Sequence, residues 1–560
     1  MTHELIIRGG DLLDGTGSAP MRADVAIDGA RITAVGDLGD ADAHEIIDAN
    51  GKMVTPGFVD LHTHFDAQIG WDPQLRPSSW HGVTTVLMGN CGVSFAPVKS
   101  EDRDYLAEIM ESVEDIPAPS IRDGLPWTWH SYGEYLDTIT KLQPSLNVAG
   151  LVGHSPVRYY AMGDAACDAD AHPDSQQLAI MAELVGQAVA DGAVGFSTSR
   201  LLGHKAPDGR EVPGTHAHLE EYEAILESVM AAGGGMFQGV FEPANFQTTD
   251  IPLMRRAAEL GCQVLFSGGA NTPKQSANWQ KTFDGITSRG GKIASVGQVR
   301  ASGALIGLGA VTPVGGREWL RLTREVRSME DKAAELAKPE VVERLLEEGN
   351  RKGLWFDAAR IFPLGTDDVP AYSSDSRGKS VAQLAEEASI TPVELIVRRL
   401  RESDGRELFN VHIFSHFEAG NDSYLALPHV IPGINDAGAH ASQISDGDSF
   451  TYWLSERVRD DGITPLPEAI RKITSLPASV LGLIDRGIIA PGQFADINVI
   501  DYQRLQTGYP SMEYDFPHEA PHLITRAKGY AATLVNGVPI LIDDELTGAR
   551  PGLVQRKFNR

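Results

Sequence analysis

Two histidines two residues apart end a short apolar run, Val54-Thr55-Pro56-Gly57-Phe58-Val59-Asp60-Leu61-His62-Thr63-His64. In a β-strand, residues i and i+2 point to the same face. His62 and His64 are therefore expected to aim both imidazoles at one metal ion, with Asp60 on the same face as a supporting carboxylate. The competing reading is a structural histidine pair. The Pro-Gly turn before the run and the Asp in phase favour metal. Gly89-Asn90-Cys91-Gly92 follows a second run, Val83–Met88. A thiolate there is a good zinc ligand and can bridge two ions; without His62 and His64 the same cysteine would read as a small buried hydrophobe. Asn435-Asp436-Ala437-Gly438-Ala439-His440 follows a third run that begins at Val430. A carboxylate at that place can ligate metal and take a proton from water, whose pKa zinc can lower to about 7. Asp436 would then return the proton to a leaving nitrogen. The competing role is a turn or cap.

The substrate side is expected from two more segments. Arg158 follows Leu146–Val152, and Arg200 and His204 follow Ala193–Ser197. A guanidinium can hold a carboxylate bidentately, although either arginine could equally sit in a structural ion pair. His440 is placed to hydrogen-bond substrate or a developing oxyanion. Trp127, Trp129 and Tyr132 could wall a pocket or pack under a loop.

These residues need a scaffold that gathers strand ends. Apolar runs at Val83–Met88, Leu146–Val152, Ala193–Ser197, Gly235–Val240, Gln263–Ser267, Ile293–Val296, Leu408–Phe414 and Val430–Asn435 alternate with helical stretches, of which Ser175–Ala190 and Leu219–Ala232 are clearly amphipathic. Eight or nine such units predict a parallel barrel, with chemistry at the C-terminal strand ends. Both termini read instead as short strands with hairpin turns, at Asp28-Gly29 and Asn536-Gly537. The expected division is a β-sandwich domain from residues 1–55 and 485–560 and a barrel over 56–484. An insertion or lid is expected around 317–406, including the turn-rich stretch 367–379.

The chain has 560 residues and a formal net charge of −28, which argues against nucleic acid or an anionic membrane as partner. A small-molecule substrate fits better, and an oligomer is compatible with the composition. Three scattered cysteines make no disulfide framework. No charged n-region with an apolar h-region opens the chain, so a cytoplasmic location is expected.

Taken together, Thr55–Asp66, Gly82–Val86 with Gly89-Asn90-Cys91-Gly92, Gly192–Thr198 and Ala490–Asp496 resemble the amidohydrolase superfamily. Within it, the chain is most similar to the N-acyl-D-amino-acid deacylase (D-aminoacylase) family. The resemblance implies a distorted (β/α)8 TIM barrel with a small β-sandwich from both termini, and zinc-dependent hydrolysis of a linear amide. It implies His62, His64, Cys91 and Asp436 as metal-site residues, with Asp436 the catalytic acid/base. That family places two further zinc-binding histidines at the ends of the fifth and sixth strands. Gln238 and Ser267 stand there instead. One zinc ion is therefore expected, without excluding two, and His204, His216, His218 or His416 could supply a missing ligand. The family's arginine shortly after the catalytic Asp is not evident. The alternatives are a cyclic amidase (hydantoinase-like) or lactonase, and a non-catalytic scaffold.

Overall fold

Runs of valine, isoleucine and leucine separated by glycine turns form eight parallel strands, as their continuous apolar character requires when both faces are covered. In the computed structural model, which describes residues 2–301, 303–372 and 377–559, they are β1 (Phe58–Asp60), β2 (Val83–Met88), β3 (Asn147–Gly153), β4 (Gly195–Ser199), β5 (Met236–Val240), β6 (Gln263–Gly268), β7 (Lys292–Gly297) and β8 (Val430–Pro432). They follow one another around the sheet in chain order, except that β8 lies beside β7 after a long excursion. The curled sheet joins β1 to β8 just beyond the strand ends: His64 N–H donates to Ala437 C=O at 2.8 Å, and Thr63 bridges Ala437. The result is a distorted (β/α)8 barrel. Alternate residues, including Val59, Leu87, Leu151, Met236, Leu265, Val296 and Ile431, fill its interior as one apolar cluster.

Helices cover the outside of the strands. Among them are α1 (Arg103–Glu114), α2 (Ser175–Ala190) and α3 (Leu219–Ala231). A capping box at Asp174 and Gln177 starts α2. No helix among the described residues is long and apolar enough to cross a membrane.

Leu408–Phe414, expected as a barrel strand, is not one. Residues Phe409–Val411 form the centre of a three-stranded antiparallel sheet with Leu305–Ile306 and Ile361–Pro363. The strand serves the excursion between β7 and β8, which has its own core of Ile306, Trp319, Leu345, Ile361, Ile396, Leu400 and Phe409. An apolar run buried in this second core cannot be told from a barrel strand by composition alone. Residues 373–376 of the turn-rich stretch lie outside the described residues.

The two termini share one nine-stranded sheet, in which Met53–Pro56 pairs with both His3–Leu12 and Ile497–Ile500. Its hairpins turn where the Asp28-Gly29 and Asn536-Gly537 pairs stand, with Asp28 opposite Arg31 and Val535 opposite Val538. Leu5, Ile7, Val25, Ile27, Val54, Ile497 and Leu534 form its core.

A buried polar triad joins α3 to the segment after β3. Glu221 accepts from His154 Nε2 at 2.7 Å and pairs with Arg158, whose other nitrogens donate to the carbonyls of Ala166 and Ala171. Burial works against the charge on Glu221, but His154 and Arg158 outweigh it and hold the carboxyl below its usual 4.5. A depressed carboxyl contributes stability that is present above the unfolded-state value and is lost as pH falls through the folded-state one. Glu221→Gln leaves a buried guanidinium unpaired and is expected to cost about 3 kcal/mol near neutral pH. Urea unfolding of both proteins should show that gap narrowing below pH 4.5.

Candidate metal centre

The strand β1 stops at Asp60, so His62 and His64 lie in the turn beyond it rather than on one strand face. They converge for a different reason. Thr63 is pinned to the Leu87 carbonyl through its N–H and hydroxyl, and His64 N–H is pinned to Ala437. The two rings stand edge to face with centroids 5.4 Å apart. Asp60 supports the turn through its backbone: one carboxylate oxygen accepts His62 N–H at 3.0 Å, and the other accepts the Asn435 side-chain amide at 2.6 Å. It thereby ties the ligand turn to the segment carrying Asp436. Burial pushes its carboxyl up to about 7.

Cys91 reaches the same point from the turn after β2. Gly89 and Gly92 there have φ of 77° and 74°. A Cβ on Gly89 would lie 2.1 Å from the Leu151 carbonyl, so the turn closes only with glycine. Cys91 has φ of 56°, and Asp436 and His440 have φ of 44° and 47°. Such left-handed residues are costly unless their surroundings hold them, and they cluster at functional sites.

Nitrogen and sulfur donors of His62, His64 and Cys91 all lie within 4.8 Å of one another, the one such His/Cys/Asp/Glu group among the described residues. His62 Nε2 is 3.4 Å from Cys91 Sγ and 3.0 Å from Asp436 Oδ1, and His64 Nε2 is 3.8 Å from the same oxygen. Two imidazoles, a thiol and a carboxylate are a donor set suited to zinc. Burial raises the Cys91 thiol and lowers His64. Burial also opposes the charge on Asp436, but His62, His64 and His440 outweigh it and hold that carboxyl below its usual range. A cation among these donors would favour thiolate and neutral imidazole together.

Gln238 and Ser267 do not approach as empty substitutes. Each points into the barrel from the upper half of β5 or β6, in phase with Met236 and Leu265. Gln238 Oε1 accepts Cys91 N–H at 3.0 Å, and Ser267 Oγ lies 3.1 Å from His62 Nδ1. Both side chains thus contact members of the His62, His64 and Cys91 group.

Of the residues expected on the substrate side, His204 and His440 lie near enough to Asp436 to feel its charge. Burial and the neighbouring His440 charge push His204 down to about 4, while its Nδ1 contacts Ser199 Oγ at 2.9 Å. Arg158 has the other partners given above, because its segment packs beneath α3. Arg200 is also occupied: it donates to buried Asp250 and to the Ala217 carbonyl, both at 2.9 Å. His216 stands against Glu211, His218 against His172 and His416 against His412. Trp129 and Tyr132 are buried, bonded to the Phe95 and Leu151 carbonyls, so this aromatic group packs under its loop.

One residue escaped the sequence reading. Glu114, the last residue of α1, is 2 % exposed and lies 3.4 Å from His64 Nδ1 and 3.6 Å from His440 Nε2. Its signal was a carboxylate four residues after Met110 on the apolar stripe of an amphipathic helix.

The family model described as "Amidohydrolase family" matches residues 45–360 and 419–541. Its gap falls in the excursion between β7 and β8. D-aminoacylase of Alcaligenes xylosoxydans xylosoxydans is 28% identical over 98% of this chain and 97% of its own length. The N-acyl-D-glutamate deacylase of the same organism is 29% identical over 99% and 96%. In fold, the chain is similar to N-acyl-D-glutamate deacylase from Bordetella bronchiseptica, solved with zinc and a phosphonate mimic of the tetrahedral intermediate. The TM-score is 0.66 at 24% identity, with all of both chains covered. With more than half of its length matched by that model, the chain belongs to the amidohydrolase family.

Proposed function

We propose that the chain is a zinc-dependent hydrolase of the linear C–N bond of N-acyl amino acids. The observation that carries this is the convergence of His62, His64 and Cys91 on Asp436 at the C-terminal mouth of a (β/α)8 barrel. The relatives named D-aminoacylase and N-acyl-D-glutamate deacylase point to the acyl amino acid class. His62, His64, Cys91 and Asp436 would hold the ion. A bound zinc ion supplies Lewis acidity toward the amide carbonyl and acidifies water near neutrality.

The chain's own part is proton transfer and orientation. Asp436, kept ionised by the surrounding imidazoles, accepts a proton from the water that attacks the carbonyl carbon. It then delivers that proton to the amide nitrogen as the C–N bond breaks, leaving a carboxylic acid and an amine. The strained backbone at Asp436 and the bond between Asp60 and Asn435 fix where that carboxylate points. His204 and His440 flank it and meet the polar atoms of the substrate.

The purified chain, loaded with zinc, is expected to release free amino acid from N-acyl amino acids and not to open hydantoin or lactone rings. The opposite pattern rejects the reading. Asp436→Asn should lower kcat by about 100- to 10,000-fold while the protein stays folded. Elemental analysis should give about one zinc per chain, falling in Cys91→Ala. Gln238→His with Ser267→His should raise that content toward about two, because both side chains already aim at the centre.

A further inference from the structure

The geometry points to Glu114 as a positioning residue that couples the metal centre to the substrate-side loop carrying His440. This rests on the reading of the site as a zinc centre. Its two carboxylate oxygens face different histidines, Oε1 toward His64 Nδ1 at 3.4 Å and Oε2 toward His440 Nε2 at 3.6 Å. Oε1 and His64 Nδ1 are both buried, and neither makes a hydrogen bond, so two orphaned polar atoms face each other. The backbone joins the same parts, since Glu114 C=O accepts His440 N–H. The next residue, Asp115, is the left-handed cap of α1 and accepts both the N–H and the hydroxyl of Ser442. The end of α1 is thus fastened along residues 440–442, and Glu114 reaches past that contact to His64.

A carboxylate at His64 Nδ1 sets which nitrogen carries the proton. Were Nδ1–H to close on Glu114, Nε2 would keep its lone pair for the ion and the ring would become a stronger donor. Ser267 occupies the corresponding place behind His62, but its hydroxyl is neutral. Among the described residues Glu114 is the carboxyl that faces both a histidine of this centre and a substrate-side histidine. A change in His440 on substrate binding would be felt at His64 through one side chain.

The test uses the full-length chain with zinc as the probe. Zinc affinity is measured by competition with a chromophoric chelator for wild type, Glu114→Gln, Glu114→Asp and His440→Ala, beside thermal melts of the metal-free proteins. Glu114→Gln is expected to bind zinc roughly 10- to 100-fold more weakly. Glu114→Asp should fall between it and wild type, and His440→Ala, which frees the far oxygen of the same carboxyl, should shift zinc affinity by a smaller but measurable factor; no shift in His440→Ala overturns the coupling. Glu114→Gln and His440→Ala should shift kcat/KM in the same direction. Zinc affinity unchanged in Glu114→Gln, with only the melting temperature altered, makes Glu114 a packing residue and overturns the inference. If the Gln variant does not fold, equal zinc affinity in Glu114→Asp and wild type does the same. A wild type that binds no zinc removes the metal reading itself, which is a different failure.

Discussion

The site depends on how the barrel closes. The first and last strands are only three residues each, too short to make a long ladder between them. Their junction is made just past the strand ends, by His64 N–H on Ala437 C=O and by the Asp60 carboxylate shared between His62 N–H and the Asn435 amide. The residues that complete the barrel are therefore immediate neighbours of those that would bind metal. An error at this seam would displace His62 and Asp436 relative to each other, a distance now of 3.0 Å between Nε2 and Oδ1. Metal ligands tolerate little such error. The burial of Asp60, with a carboxyl pushed up to about 7, is the cost of that fastening.

The same economy appears at β5 and β6. Gln238 and Ser267 are too weak as donors to hold zinc tightly, yet both are buried or half-buried beside a ligand-bearing turn. Gln238 satisfies the Cys91 N–H, which a left-handed backbone would otherwise leave inside the protein without an acceptor. Ser267 offers an oxygen to His62 Nδ1, which directs Nε2 toward Cys91 and Asp436. On the proposed reading, β5 and β6 thus support the donors of one ion instead of binding a second.

Much of this was legible in the residues. The barrel followed from apolar runs of strand length alternating with helical periods, and the ends of most strands fell within two residues of their expected places. The convergence of His62 and His64 was expected too, but from the wrong cause. Strand periodicity does not apply past Asp60, and backbone bonds to Leu87 and Ala437 do that work. Long-range bonds of that sort leave no local pattern. Arg158 and Arg200 were ambiguous for a related reason. An arginine after a barrel strand looks the same in sequence whether it meets a substrate or a buried acid. Glu221 and Asp250, which decide the matter, lie 63 and 50 residues away along the chain. Glu114 had a visible signal, a carboxylate on an apolar helix stripe, but only its distance from His64 gives that signal a meaning.

The electrostatics of the centre follow from the same placement. Burial raises Asp60 and Asp66 to about 7 and lifts Cys91 and Glu114 well above their usual ranges, while it lowers His64 and His204. Every one of these shifts is the resistance of a dry interior to an isolated charge. A divalent cation among His62, His64, Cys91 and Asp436 would answer the shifts of Cys91 and His64 with one sign of charge, since it stabilises thiolate and prefers neutral imidazole. Asp436 is the exception: three imidazoles keep it ionised. It is 18 % exposed, more than any other member of the donor set, and so it is the carboxylate that an incoming substrate can reach. On the proposed reading, the division between a sheltered donor set and one accessible base is thus set by depth below the barrel mouth rather than by residue type.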